Sequence, residues 1–287
     1  MAIVDRRGRG DMRPWAFVAP ALLWTIAFFC VPFAVMAVVS LWERVGTELV
    51  ASWSFANYAK FFARGHFLQA MLNSLEVTLI VTVLSILLAY PLAWILAEKV
   101  PPRWQRIGLV CAILPFWTSY VVRSYAWVLV LANNGVVNQA LQGVGLVDEP
   151  LSLANSRTAT IIGFVHFFVM LLTLTIYANL VQLPKNYRRA AADLGAGSVA
   201  TFVHIILPLT LPGIMVGAFL TFVLCIGDYI TPQILGGNSE LVMPQLIMLQ
   251  IGRRADFPTA SALAILLMVV VTLVYVACAR WLKLERA

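Results

Sequence analysis

The sequence predicts an all-α, polytopic membrane protein with six transmembrane helices, and three observations carry that prediction. Hydrophobic residues make up 61% of the 287-residue chain and charged residues only 11%, against roughly 45 to 50% and 25% in soluble domains. Six apolar runs, about 15–42, 70–97, 107–132, 158–181, 202–230 and 260–282, reach the length of about 20 residues that a helix needs to cross roughly 30 Å of hydrocarbon. The basic residues fall in short clusters between these runs.

The first run follows a polar start, Met1 to Arg13, that holds Arg6, Arg7, Arg9 and Arg13. It is longer than the about 7 to 15 apolar residues of a secretory signal, so it reads as an uncleaved first span behind a cytoplasmic segment, 1–14. Orientation follows from the distribution of Lys and Arg, which cluster in cytoplasmic segments. One alternate set of segments carries thirteen: the four N-terminal arginines, then Lys99, Arg103 and Arg106, then Lys185, Arg188 and Arg189, then Arg280, Lys283 and Arg286. The other set carries six, Arg44, Lys60, Arg64, Arg157, Arg253 and Arg254, and Arg123 lies inside the third run. Both termini, including the tail 283–287, are therefore expected on the cytoplasmic side, around one transmembrane domain over 15–282. The net charge of +7 reports this topology and not a nucleic-acid surface, because no basic stripe on a soluble fold accompanies it.

The outward segments differ in kind. Glu43 to Gln69 contains Trp53, Phe55, Tyr58, Phe61 and Phe62, which suits a helix lying in the interface, where aromatic rings are favoured. Asn133 to Arg157 and Pro232 to Pro258 are broken by glycine and proline, and such segments suit reception of a soluble partner. The cysteines, Cys30, Cys111, Cys225 and Cys278, lie in apolar surroundings without metal-like spacing and read as small apolar fillers. His66, His166 and His204 are scattered and read as structural.

The fourth and fifth runs are joined by PKNYRRAAADLGAGSVATFVHIILPLTLPG, Pro184 to Gly213. Tyr187 to Leu194 favours a helix, Gly195 suits the left-handed residue that closes it, and Ser198 suits the N-cap of a second helix stopping at Pro208. This stretch resembles the cytoplasmic loop of inner-membrane permeases of ABC importers, which take substrate from a separate binding protein. The family pattern Glu-Ala-Ala, a glycine four residues on, then Ile-x-Leu-Pro is matched at Ala190, Ala191, Gly195, Ile205, Leu207 and Pro208, with Arg189 where the family usually has Glu. The resemblance implies a type I ABC importer permease fold and a coupling loop, 184–208, in which Arg189, Ala190, Ala191, Asp193, Leu194, Gly195 and Ala196 dock on an ATPase subunit. It also implies two ATPase subunits, a second permease subunit, normally a different chain, and an outer binding protein in a bacterial inner membrane.

Two further stretches, LPFWTSYVVRSYAWVLVL around Arg123 and CIGDYITPQILGG around Asp228, resemble the spermidine/putrescine-type branch, which implies a polyamine cargo; other small solutes remain open. A desolvated ammonium needs a carboxylate and aromatic faces. Asp228 and Tyr229, with Trp117, Tyr120, Tyr125 and Trp127, supply those types. Arg123 and Asp228 could equally pair with each other or reach interfacial water near the ends of their spans. Pro232 and Gly236-Gly237 suit either an outer gate or a plain helix end. Glu76 reads as an interfacial or interhelical polar contact.

No Gly-x-x-x-x-Gly-Lys-Ser/Thr phosphate loop and no His-Glu-x-x-His motif occur. The chain is expected to be non-catalytic and to need no cofactor or metal, with ATP hydrolysed on another chain. A self-sufficient secondary transporter or channel is the rival reading; the sparse intramembrane charge and the lack of a clear internal repeat weigh against it.

Overall fold

The computed structural model describes residues 13–184, 186–237 and 240–282. The basic residues Arg6, Arg7, Arg9, Lys185, Lys283 and Arg286 lie outside the described residues, as do almost all of the N-terminal segment and the whole tail.

The chain is mainly helical. Helix α1 (Arg13–Thr25) passes through a π turn, Ile26–Cys30, into α2 (Val31–Val39). Strands β1 (Glu43–Val45) and β2 (Glu48–Val50) form an antiparallel hairpin with Glu43 opposite Val50, followed by α3 (Ala56–Ala63). Helix α4 (Gly65–Trp94) continues as a π turn, Ile95–Lys99. Then come α5 (Pro102–Ile113), a 3-10 turn (Leu114–Trp117), α6 (Tyr120–Leu131), α7 (Val136–Gly143) and α8 (Arg157–Gln182). Helix α9 (Asn186–Asp193) is followed by α10 (Ser198–Thr201), a π turn (Phe202–Ile206) and α11 (Leu207–Ile226). Finally, α12 (Ile230–Leu235) and α13 (Met243–Gly252) precede α14 (Phe257–Leu282).

Among the described residues, five helical stretches are long and apolar enough to cross a membrane: Val18–Val39, Gly65–Lys99, Arg157–Gln182, Ser198–Ile226 and Phe257–Ala279. The remaining apolar run, the third, 107–132, is not straight. Pro102–Trp117 and Tyr120–Gly143 meet at 90°, because Pro115 tightens the helix end into the 3-10 turn and Thr118, with ψ 148°, leaves the helix.

Two further expectations change. The second limb of the hairpin does not stop at Pro208: the helical path runs on to Ile226. Pro208 has no N–H for the ladder, and the wider π turn just before it absorbs the misfit, while Thr210 Oγ1 donates to the Ile206 and Leu207 carbonyls at 3.0 and 3.1 Å. The segment 43–69 is not one interfacial helix either, since Gly46, at φ 66°, turns the chain into the β-hairpin. Trp53, Phe55 and Phe62 are nonetheless exposed, as an interfacial segment requires.

The centre of the bundle is α4, α8 and α11. Ala89, Tyr90 and Ala93 pack against Leu172, Ile176 and Leu180, and against Ile206 and Ile214. Lipid tails are as apolar as leucine, so close packing, not hydrophobic expulsion, holds such helices together. The sequence Gly213-Ile-Met-Val-Gly217 on α11 provides that closeness. A methyl group at Gly213 would collide with the Asn179 side chain, and one at Gly217 would lie 2.8 Å from Leu172 Cδ2. By contrast, no residue from Val18 to Val39 in α1 and α2 is buried within the chain.

Candidate functional site

The hairpin α9–α10 is closed by local chemistry. Gly195 takes φ 79°, and the N–H groups of Gly195 and Ala196 donate to the carbonyls of Ala192 and Ala191 at 2.9 Å each. These two bonds form a Schellman closure, which only a residue tolerant of the left-handed region completes without strain. Ser198 is not the N-cap: that position belongs to Gly197, and α10 begins at Ser198 itself. Extended Gly197 (ψ 165°) makes the turn, so no side-chain cap is formed.

Of the seven coupling residues, Ala191 is buried, Ala196 is half-buried, and Arg189, Ala190, Asp193, Leu194 and Gly195 are exposed. Leu194 is 89% exposed and Val199 on the second limb 77%. The tip therefore presents apolar and small side chains away from the bundle.

Its root is anchored. Arg188 pairs with Glu98 at the end of the long α4 path, and its guanidinium lies 5.2 Å from the Trp94 ring. Trp94 meets Phe202 edge-on at 5.1 Å, and Tyr90 meets the same ring at 5.6 Å. Partial burial holds the Arg188 pKa below its ordinary value, chiefly by desolvation; a planar guanidinium stays charged throughout the accessible pH range. Sequence reasoning misses Glu98 and Trp94. The available signal is a lone acid in an otherwise basic cluster, Glu98 beside Lys99.

At the opposite end of the bundle two chain breaks meet. Helix α11 ends at Ile226, and Asp228 accepts the N–H groups of Ile230 (2.9 Å) and Thr231 (3.3 Å) at the start of α12. Tyr120, the first residue of α6 after the bend, donates from its hydroxyl to Asp228 Oδ2 and also meets Thr231 Oγ1. Arg123 and Asp228 do not pair. Arg123 is buried, donates from Nη1 to the Pro115 carbonyl at 2.8 Å, and lies over the rings of Phe167 (4.9 Å) and Tyr120 (5.4 Å). It thus closes the bend in its own segment, and Tyr120 is the link between the two charges.

The expected cage is only partly assembled. Tyr120 and Asp228 come together. Tyr229 instead lines a separate cavity of about 560 Å³ with Gln233, Gln245 and Arg253. Trp127 Nε1 donates to His166 Nδ1 at 2.9 Å, which satisfies that histidine. Trp117 and Tyr125 are 79% and 58% exposed and form no part of the Tyr120–Asp228 contact.

The segment after Asp228 is tied down. Gln245 Nε2 donates to the Pro232 carbonyl at 3.0 Å, and Gly237, at φ 65°, lies so close to Asn155 that a methyl group there would be 2.7 Å from its carbonyl oxygen. Ser74 Oγ accepts the Met243 N–H at 2.6 Å, and Asn73 Nδ2 donates to the Leu241 carbonyl at 3.2 Å. Glu76 pairs with Arg157 at 2.7 Å, and Arg157 also lies 3.6 Å from Glu240. Of the two roles expected for Glu76, interfacial or interhelical, this pairing makes it an interhelical contact. Among the described residues no cluster of His, Cys, Asp and Glu could hold a metal.

The family model described as binding-protein-dependent transport system inner membrane component matches residues 89–284. The spermidine/putrescine transport system permease protein PotB of Escherichia coli K12 is 31% identical over 251 residues, covering 87% of this chain and 90% of that protein. The inner membrane ABC transporter permease protein YdcU of the same organism is 32% identical over 216 residues, covering 71% and 68%. Among solved structures, a bacterial ABC transporter involved in the import of the acidic polysaccharide alginate superposes with a TM-score of 0.76 at 17% identity over 96% of this chain and 97% of that one. The MetNI methionine ABC transporter superposes at 0.59 and 15% identity, over 75% and 94%. These structural likenesses bear on the fold, which is that of ABC importer permeases. On the sequence match, the chain belongs to the family of inner membrane components of binding-protein-dependent transport systems.

Proposed function

We propose that this permease subunit couples to a separate ATPase through the tip of the α9–α10 hairpin, Arg189 to Ala196, and moves a polyamine such as spermidine or putrescine by alternating access. The observation that carries the reading is the hairpin itself: locally closed at Gly195, bare at Leu194 and Val199, and rooted on α4 by Arg188. Small alanines at the tip allow close docking, and Leu194 offers exposed apolar surface for a partner to bury. Arg189, where the family usually has Glu, reverses the charge offered to one docking partner.

In this reading the hairpin, both termini and the segments 1–14 and 283–287 face the cytoplasm, while α12, α13 and the β-hairpin face outward to a binding protein. Residues 15–282 act as one permease domain. A second permease subunit covers the exposed faces and completes the path, two ATPase subunits sit under the hairpins, and this chain hydrolyses nothing itself. The polyamine assignment is supported by the names of the PotB relatives, spermidine/putrescine permeases, and by Asp228, whose carboxylate has no arginine partner among the described residues and faces Tyr120. Tyr229, Trp117, Tyr125 and Trp127 take part only where the second subunit brings them to the path.

The test is a Leu194→Cys chain, purified from its own membrane and treated with a short bifunctional thiol reagent. Cross-linking to a copurifying ATPase subunit supports the docking; a chain that purifies without an ATPase and still transports would point to the secondary-transporter reading. Uptake of labelled putrescine and spermidine in reconstituted vesicles, with unrelated sugars and amino acids as competitors, tests the cargo.

A further inference from the structure

We propose that the Arg188–Glu98 pair, seated on Trp94, is the joint through which movement of the hairpin reaches α4 and, along it, the opposite face of the bundle. The inference rests on the hairpin being the point where the ATPase acts.

The hairpin has two covalent connections, to α8 through Leu183 and Pro184 and to α11 through the π turn. Helix α4 is neither of these. Glu98 lies 90 residues before Arg188, so a non-covalent contact must carry any displacement between them. Arginine suits that role, because one planar group stacks on Trp94 and pairs with a carboxylate, which fixes its orientation as well as its distance. Both side chains are about three-quarters buried, at 25% and 23% exposure, so the pair is shielded from the screening that makes fully exposed pairs nearly worthless.

What lies at the other end of α4 makes the contact consequential. The path Gly65–Lys99 is 35 residues, about 50 Å at 1.5 Å per residue. Near its start, Asn73 and Ser74 hold Leu241 and Met243 by their backbones, and Glu76 holds Arg157. Leu241 and Gln245 line the cavity of about 560 Å³ with Tyr229, Gln233 and Arg253. A rotation of α4 driven from Glu98, carried past the π turn Ile95–Lys99 and Pro91, therefore displaces the wall of that cavity. Arg188 and Glu98 act as positioning residues, not as part of the docking tip.

The test needs no knowledge of the cargo. In the full complex with its copurifying ATPase, and with Cys30 and Cys111 replaced by Ser, Gln233→Cys reports accessibility of the cavity to a membrane-impermeant maleimide. With the pair intact, trapping with ATP and vanadate is expected to change the labelling rate by about fivefold, a typical coupling between sites. Arg188→Glu and Glu98→Arg should each abolish that change while Leu194→Cys still cross-links to the ATPase, and the double charge reversal should restore it. Arg188→Lys, which keeps the charge and loses the planar stack, should restore it only in part. Single variants that keep the full change, or a double variant that fails to regain it, overturn the joint and leave the docking reading intact. Loss of the Leu194→Cys cross-link in the otherwise unaltered chain overturns the docking reading and the joint with it.

Discussion

The two ends of the bundle solve the same problem, fixing a break in the chain, with opposite materials. At the hairpin end the closure is local: Gly195 and Ala196 bond back to carbonyls within the preceding turn, and one ion pair roots the unit on a distant helix. At the other end the fixings are long-range: Tyr120 reaches Asp228 across 108 residues and Ser74 reaches Met243 across 169. A locally closed element keeps its shape while it moves as a body. A region fastened by many separate long-range bonds changes shape when any of the helices holding them shifts.

That contrast can be broken most severely at the shared axis. Gly213→Leu would drive α11 away from Asn179 on α8, and overpacking of this kind costs about 1 to 3 kcal/mol or more; the expected result is loss of folded protein, read as a collapse of detergent-solubilised yield and thermal stability. Gly195→Val comes next, motivated by φ 79°. A β-branched residue there costs about 1 to 2 kcal/mol of local strain, so the hairpin loses its shape while the chain stays in the membrane. ATP hydrolysis by the complex should persist as uptake falls by about tenfold or more, and normal uptake would show that the tip's shape is irrelevant. At the far end the effects should be smaller. Asp228→Asn removes the charge and one of the two acceptor oxygens that Ile230 on one side and Tyr120 and Thr231 on the other now share, so uptake of a cationic cargo should drop by about fivefold, mainly through KM. Unchanged uptake would return Asp228 to a purely structural role. The smallest effect belongs to Glu76→Gln, because Glu76 is 59% exposed in its pair with Arg157; after allowance for screening, a loss within about 0.2 to 1 kcal/mol is expected in thermal unfolding. A larger loss would place this ion pair among the fixings that shape the far end.

The same contrast explains what the sequence makes legible. Spans and the hairpin can be read because they are encoded locally: apolar runs of about 20 residues, and a helix, a glycine and a helix within about thirty positions. The run 107–132 conceals its 90° bend because composition does not record direction, although Pro115 followed by Thr118 and Ser119 marks the place. Pro208 misleads in the other direction, since a π turn can absorb a proline that local rules treat as a stop. The partner of Arg188 is beyond reach for a plainer reason: Glu98 lies 90 residues away, and nothing in a single sequence ties such positions together. Tyr120, grouped with Asp228 on residue type alone, does meet it across 108 residues. Aromatic residue types around Arg123 suggest a cage, yet Trp117 and Tyr125 are left exposed, because helical spacing spreads neighbours over several faces.

The widened turn Phe202–Ile206 has a mechanical consequence. It lies between the hairpin and α11, and Pro208, two residues later, withholds an amide that a regular ladder would use. A rod already short of ladder bonds at one level bends there with little further loss. The second limb is thus compliant where it joins its own span, and the α4 path is built the same way at its end, with Pro91 followed by the π turn that carries Glu98. A thrust on Leu194 would pivot at this elbow and pass sideways through Arg188 to a second one on the neighbouring helix, so the two helices are hinged at the same level.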